Sequence, residues 1–184
     1  GMSQFQAKEG EEKKPNENAS WSLDLSFAGE NDNSDLKDLH ENLEKIEDVL
    51  VDAAHEGKWF LDKKSKDKSK RNNSISKDML RNYISDQVRY SKATEDDGKT
   101  PKYPPTMKVK VPCYNGTFSC DLFDETKTQI TDKPPNEVLV KGCSAKCLLE
   151  CGAVYLGGNK ITLTWKLSQA KVRQSAIRVS GYGF

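Results

Sequence analysis

Two long strand-like segments near the C-terminal end constrain the fold more than any other part of the sequence. They cover residues 144–156 and 161–173, and residues 157–160 between them read Gly-Gly-Asn-Lys. Glycine and asparagine tolerate the positive φ angles that tight hairpin turns require. The sequence therefore predicts a long hairpin as a central element of the fold.

Further strands are predicted on both sides of the chain's middle. Residues 21–27 alternate apolar with polar side chains, and residues 107–111 alternate Met and Val with Lys108 and Lys110. A turn at residues 113–116 leads into a returning strand over 117–123, and residues 138–140 are compatible with a short strand or a loop. Five or six antiparallel strands without a βαβ rhythm predict a small barrel or sandwich.

Two helices are predicted between these strands. Ser34 can cap an amphipathic helix over residues 34–56, in which Leu, Ile and Val recur every three or four residues. Ser76 can cap a second helix over 76–90, and both helices are expected to flank the sheet. Residues 1–20 are polar and charged, which predicts a disordered acidic segment before a single domain at 21–184.

The net charge of +1 conceals a strong asymmetry along the chain. Residues 1–57 contain five lysines against fifteen acidic residues, a net charge of −10, whereas the remainder carries +11. An acidic arm on a basic body suits a nucleic-acid binder, because the body attracts phosphate while the arm limits non-specific adhesion. Solvated surface on both halves is the alternative explanation.

The sequence lacks the signatures of most other functional classes. No apolar run reaches the length of a signal sequence or a membrane span, so we expect a protein that is neither secreted nor membrane-bound. No phosphate-binding loop, GxSxG or HExxH motif is present, which predicts a non-enzyme without cofactors. The five cysteines form no CxxC pair and both histidines are remote from them, which predicts reduced thiols and no metal site.

The C-terminal segments carry the two features with which proteins bind single-stranded nucleic acid. These are cations that replace phosphate counterions and aromatic rings on which bases stack. Residues 160–178 contain basic but no acidic side chains around Trp165, and Tyr155 lies on the opposing segment. Leucines flank Trp165, which is typical of a residue in the core. The alternative is that the ring of Trp165 is exposed and stacks a base. Trp59 can either fasten the end of the first helix or stack a base.

The last strand distributes its polar residues over two faces. Without a bulge, Gln169, Lys171 and Arg173 lie on one face. Trp165 shares that face, whereas Lys166 points to the other. Twist or curvature is therefore needed to bring all the cations to one ligand.

Basic residues elsewhere complete the predicted interface. Val109 and Val111 fix Lys108 and Lys110 on the exposed side of a strand, and residues 58–73 form a basic linker. The candidate nucleic-acid-binding residues are Lys108, Lys110, Tyr155, Trp165, Lys166, Gln169, Lys171, Arg173, Trp59, Lys64 and Arg71.

Several motifs resemble a family of viral proteins. Residues 103–112, Tyr-Pro-Pro-Thr-Met-Lys-Val-Lys-Val-Pro, and residues 161–169, Ile-Thr-Leu-Thr-Trp-Lys-Leu-Ser-Gln, are similar to motifs of the single-stranded-DNA-binding family of nucleocytoplasmic large DNA viruses, of asfarvirus, phycodnavirus and mimivirus type. Shorter likenesses occur at residues 59–76, 116–118, 141–142 and 152–155. The resemblance covers residues 59–171, with the motifs in the expected order.

This resemblance implies an antiparallel barrel of the oligonucleotide-binding (OB) type, so the predicted fold is mainly β (α+β) with two flanking helices. It further implies largely sequence-independent binding of single-stranded DNA during viral DNA replication, recombination or repair. The expected location is the cytoplasmic viral factory or the nucleus of an infected cell, with viral replication proteins as further partners. Two alternatives stay open: an RNA-binding protein on the same sheet, and a non-enzymatic viral scaffold protein.

Overall fold

The computed structural model describes residues 2–4, 21–61, 75–157 and 160–173. The chain divides into two compact units. The first comprises Gly1–Leu25, Lys108–Gly152 and Thr164–Phe184, and the second comprises Ser26–Met107 and Ala153–Leu163. The single domain that the sequence predicts over 21–184 stays a prediction, because compact units of this kind can also lie within one domain.

The described elements are mostly strands with a few helices. In chain order they are β1 (Met2–Gln4), β2 (Trp21–Ser26), a 3₁₀ turn (Glu30–Asp32), α1 (Ser34–Glu56), α2 (Lys77–Arg81), β3 (Thr106–Val111), β4 (Cys113–Tyr114), β5 (Thr117–Phe118), β6 (Asp121–Phe123), α3 (Pro135–Val138), β7 (Ser144–Gly157) and β8 (Lys160–Arg173). Within these described ranges, no helix is long and apolar enough to cross a membrane.

The main sheet is mixed, with strand order β1-β2-β3-β8-β6 and with β7 paired to β8. β1 runs antiparallel to β2, whereas β3 and β6 both run parallel to β8. The predicted all-antiparallel barrel is therefore wrong, and the described strands follow an open path rather than a closed one. Long connections separate β3 and β6 from β8, and such connections permit the parallel pairing that alternation alone cannot reveal.

The predicted long hairpin is present as β7 and β8. Only residues 158 and 159 separate the two strands, and so short a connection permits only antiparallel pairing. The strands approach closely at Gly152, where a Cβ atom would lie 2.7 Å from Thr164 Oγ1. A side chain at position 152 would therefore push the two strands apart.

A smaller hairpin, β4–β5, follows β3 directly. Its turn residues Asn115 and Gly116 have φ angles of 50° and 78°. Two consecutive positive φ angles are typical of a type I′ turn, in which Asn-Gly is the favoured pair. The rings of Trp21 and Phe118 lie 5.6 Å apart, and this contact joins the small hairpin to β2.

In the second unit, α1 covers the residues for which the periodicity predicts a helix. Asn33 rather than Ser34 is the N-cap, because its side chain accepts a hydrogen bond from Leu36 N at 3.2 Å. The buried face of α1 contributes to an apolar cluster with α2 and β8. The cluster consists of Leu50, Val51, Ala54, Ile75, Leu80, Ile84 and Ile161.

The second predicted helix, over 76–90, is much shorter in the structure. Ser76 caps it as expected, but the helix ends at Arg81. Ile84 then forms a parallel bridge with Ile161, and Ser85 N donates to Ile161 O at 2.9 Å. Pairing with β8 therefore replaces the helical hydrogen bonds that the apolar stripe predicts.

The N-terminal segment also differs in part from the expectation of disorder. Residues 2–4 form β1, with Met2 opposite Leu23. Residues 5–20 lie outside the described residues, so the expectation for them stays a prediction.

Candidate nucleic-acid interface

Two lysines lie side by side on the sheet of the first unit. Lys110 of β3 pairs with Lys166 of β8 in parallel register, and residues paired in this way point to the same face. Lys110 is exposed and Lys166 is half-buried. Adjacent like charges on neighbouring strands are destabilising. An anion that binds between these two side chains would relieve that repulsion.

Lys108 lies two residues before Lys110, so strand alternation places it on the same face. It is half-buried, whereas Val109 and Val111 between the lysines are buried. The predicted division of β3 into an apolar and a basic side is therefore present.

The alternation along β8 changes phase near its C-terminal end. Leu167 is buried at an odd position, but the next buried residues are Ala170 and Val172. Trp165 therefore alternates in phase with buried Leu167, whereas Lys171 alternates out of phase with buried Val172. The alternation of burial therefore shifts along β8, while the shared face of Trp165 and Lys171 stays a prediction.

Two adjoining clefts lie at this end of β8, and both have Lys146 and Lys171 in their walls. The first, of about 370 Å³, is lined by Phe123, Lys127, Lys146, Cys147, Leu148, Gln169, Ala170 and Lys171. The second, of about 330 Å³, is lined by Glu125, Ser144, Ala145, Lys146, Lys171, Val172 and Arg173. We call the two together the basic cleft, since Lys127, Lys146, Lys171 and Arg173 supply four of its side chains.

A tight loop after β6 fixes one wall of the basic cleft. Asp124 Oδ1 accepts hydrogen bonds from the Thr126 and Thr128 backbone N–H groups at 2.8 and 2.9 Å, and from Thr126 Oγ1 at 2.7 Å. The Thr126 and Thr128 bonds lower the pKa of Asp124, and Lys171 lowers it further. Within this loop Lys127 has a φ of 69°, a left-handed conformation that side chains rarely adopt.

One acidic side chain of the basic cleft already has a partner. Arg173 Nε donates to Glu125 Oε1 at 2.7 Å, and both side chains are more than half exposed. An exposed pair of this kind contributes only about 0.2–1 kcal/mol. A phosphate group can therefore compete with Glu125 for the guanidinium.

The thiol in the basic cleft is not a ready nucleophile. Burial, with a smaller contribution from nearby Cys143, raises the pKa of Cys147 to about 11. Burial likewise raises the pKa of Cys120 to about 11. Over the described part of the chain, no group of His, Cys, Asp and Glu side chains could hold a metal ion.

The predicted aromatic residues occupy different surroundings. Tyr155 belongs to the second unit and is 67% exposed, so its ring is open to solvent. Trp165 belongs to the first unit and is half-buried. Trp59 is half-buried against the apolar cluster of the second unit, which fits the role of fastening the end of α1.

The structure adds residues that no sequence pattern indicates. Lys127, Lys146 and Phe123 line the basic cleft beside the predicted Gln169, Lys171 and Arg173. The position of Lys146 could have been found, since a hairpin places the start of β7 opposite the end of β8. The predicted residues Lys64 and Arg71 lie outside the described residues.

Comparison with known proteins gives one structural likeness. A single-stranded DNA-binding protein from bacteriophage Enc34, solved in complex with ssDNA, is 10% identical with a TM-score of 0.46. The alignment covers 96% of this chain and 80% of the phage protein. No family model and no curated protein matches the chain. Similarity at this level does not establish a shared fold, so only the residues described above support a function.

Proposed function

We propose that this chain binds single-stranded DNA and that the basic cleft holds its phosphate backbone. The observation that carries the proposal is the meeting of Lys127, Lys146, Lys171 and Arg173 on two adjoining clefts. Cations gathered in this way release the counterions of a polynucleotide, which is the main source of sequence-independent affinity.

The surroundings of these cations favour the binding of single-stranded over double-stranded DNA. Phe123 lines the same cleft as Lys127 and Lys146, and is half-buried. A ring beside cations can stack an unpaired base, with a contribution of about 1–3 kcal/mol per base. Bases in a duplex are already stacked on each other and offer no such face.

Lys110 and Lys166 provide a second phosphate contact in the same unit. Their side chains share one face of the sheet, and in the described structure neither forms an ion pair with an acidic side chain. Strand alternation places Lys108 on the same face as Lys110, so we propose that it also faces the bound DNA. A bound phosphate would reduce the repulsion between these lysines, and this relief would increase the affinity of the protein for single-stranded DNA.

The remaining predicted residues have supporting roles in this proposal. In the first unit Trp165 stacks a base with the accessible part of its ring, and in the second unit the exposed ring of Tyr155 is a separate stacking position. Gln169 donates or accepts hydrogen bonds beside Lys171 in the cleft. We assign no contact to Trp59, because its ring packs against the apolar cluster.

The biological setting follows from the sequence resemblance alone. We propose a role in viral DNA replication, recombination or repair, in the cytoplasmic factory or the nucleus of an infected cell. Stacking and phosphate contacts read every base alike, so we expect little sequence preference. We also propose that the chain has no enzymatic activity.

Titration of a fluorescent single-stranded oligonucleotide at several salt concentrations tests the proposal. For a single strand, the slope of log affinity against log salt is about −0.7 per neutralised phosphate. Three phosphate contacts therefore predict a slope of roughly −2 or steeper. A flat salt response would contradict binding through the basic cleft.

Competition experiments test the substrate. A duplex of the same length should compete poorly with the bound strand. An RNA strand of the same sequence that competes better than DNA would indicate that the 2′-hydroxyl is recognised. Failure of every oligonucleotide to bind would contradict the proposal and favour a scaffold role.

Replacing Glu125 by glutamine should tighten oligonucleotide binding by up to about fivefold. The substitution removes the charge that holds Arg173 at 2.7 Å, and an exposed pair of this kind contributes at most about 1 kcal/mol. Glu137→Gln changes the net charge equally at another exposed position of the first unit and is the control. Equal tightening in both variants would show that only net charge matters.

A further inference from the structure

β7 is a long strand with one edge that no described strand covers. It extends over fourteen residues and pairs with β8 along one edge. No strand or isolated bridge in the described structure pairs with its other edge. Such an edge presents a row of backbone N–H and C=O groups, which is a template for pairing with another strand.

The side chains along this edge alternate in a regular way within the first unit. Lys146, Leu148 and Glu150 are exposed and share one face, because residues two apart in a strand point to the same side. Leu148 is 60% exposed, although it is a large apolar residue in a sheet. Proteins often protect a long edge with inward-pointing or repeated like charges. Here the two charges have opposite signs and flank an exposed leucine.

The arrangement of charge is self-complementary. Lys146 and Glu150 lie at equal distances on either side of Leu148 in the sequence. If two such strands pair antiparallel with Leu148 at the centre, each Lys146 lies opposite a Glu150, and the two leucines face each other. Opposite charges and apolar side chains in directly opposed positions both stabilise a strand pair.

We propose that β7 pairs antiparallel with β7 of a second copy of this chain, about a twofold axis at Leu148. A twofold axis uses the same surface on both copies, and the Lys146–Leu148–Glu150 pattern meets this requirement. The dimer joins the sheets of the two first units into one continuous sheet. This pairing rests on the edge of β7 that no described strand covers and on its charges, and it does not depend on the proposed binding of DNA.

Charge reversal tests the register of this pairing. Analytical ultracentrifugation without oligonucleotide should show a concentration-dependent shift from the 20.7 kDa monomer to twice that mass. Lys146→Glu and Glu150→Lys should each raise the dimer dissociation constant by about tenfold. The twofold axis creates two equivalent pairs of residues 146 and 150, and either change places like charges opposite each other in both pairs. The double variant Lys146→Glu with Glu150→Lys should restore dimerisation, since it exchanges both signs.

A mixture of the two single variants gives a second test of the same register. Each variant is expected to be mostly monomeric alone, but the mixture should form a heterodimer in which both charge pairs are opposite in sign. Leu148→Asp should abolish association, because two carboxylates would meet at the axis. The variants alter exposed residues, so far-UV circular dichroism should show an unchanged secondary structure.

A wild-type protein that stays monomeric at all concentrations would overturn the proposal. So would a dimer that persists in Leu148→Asp, or one that fails to respond to the charge reversals. Loss of oligonucleotide binding in Lys146→Glu bears only on the proposed function, since Lys146 also lines the basic cleft.

Discussion

Replacing Lys127, Lys146 and Lys171 together by glutamine should weaken oligonucleotide binding about a hundredfold near 0.1 M salt. Each lysine lines the larger part of the basic cleft. If each neutralises one phosphate of a single strand, its loss removes about 0.7 from the slope of log affinity against log salt. The triple variant should therefore flatten that slope by about 2 in fluorescence anisotropy titrations.

A matched variant separates local contacts from net charge. Lys92, Lys99 and Lys102 are exposed residues of the second unit and lie outside the basic cleft. Replacing these three by glutamine changes the net charge by the same amount, so it alters long-range attraction equally. We expect this control to retain most of the affinity and slope. Equal losses in both triple variants would contradict phosphate binding in the basic cleft.

Glutamine is the appropriate replacement at position 127. The left-handed φ of Lys127 is strained for any residue with a side chain, and glycine would relieve that strain and stabilise the loop. Glutamine keeps the strain and the side-chain length while it removes the charge. A change in affinity then reports the charge and not a rearranged loop.

The local elements of this fold are largely encoded in visible patterns. The β7–β8 hairpin follows from two apolar segments and a short glycine-containing connection. α1 follows from its periodicity and covers Ser34–Glu56. Such elements depend on contacts between residues near in sequence, so alternation and spacing are sufficient evidence for them.

Long-range pairing could not be predicted in the same way. The parallel pairing of β3 and β6 with β8 depends on residues far apart in sequence, and the hairpin pattern suggests antiparallel neighbours instead. Ile84 shows the same effect on a smaller scale. Its apolar spacing fits a helix, yet its bridge to Ile161 places it in an extended segment.

The candidate site was only partly predictable for the same reason. Lys171 and Arg173 were identified because they lie in a basic segment without acids. Lys127 and Lys146 lie among acidic and apolar neighbours in the sequence, and only the loop after β6 and the start of β7 bring them to the basic cleft. The change of phase along β8 likewise has no clear sequence signal.

The second large effect concerns stability of the second unit. Leu80→Ala should lower its free energy of unfolding by about 2–5 kcal/mol. Leu80 is fully buried in the apolar cluster with Leu50 and Ile161. Removal of a buried leucine loses apolar transfer energy and leaves a cavity that neighbours fill only in part. Urea unfolding should show a lower midpoint with an unchanged m value.

Met79→Ala is the matched control for this substitution. Met79 is the neighbouring residue in α2 and is 51% exposed, so its truncation leaves no cavity and should change stability by less than about 0.5 kcal/mol.

Hydrogen exchange measured by mass spectrometry can follow the unfolding of α1 directly. A loss of 2 kcal/mol should accelerate exchange of its most protected amides by about thirtyfold, provided that they exchange through unfolding of this unit. Unchanged exchange in α1 after Leu80→Ala would contradict the packing of α1 against α2 through this cluster.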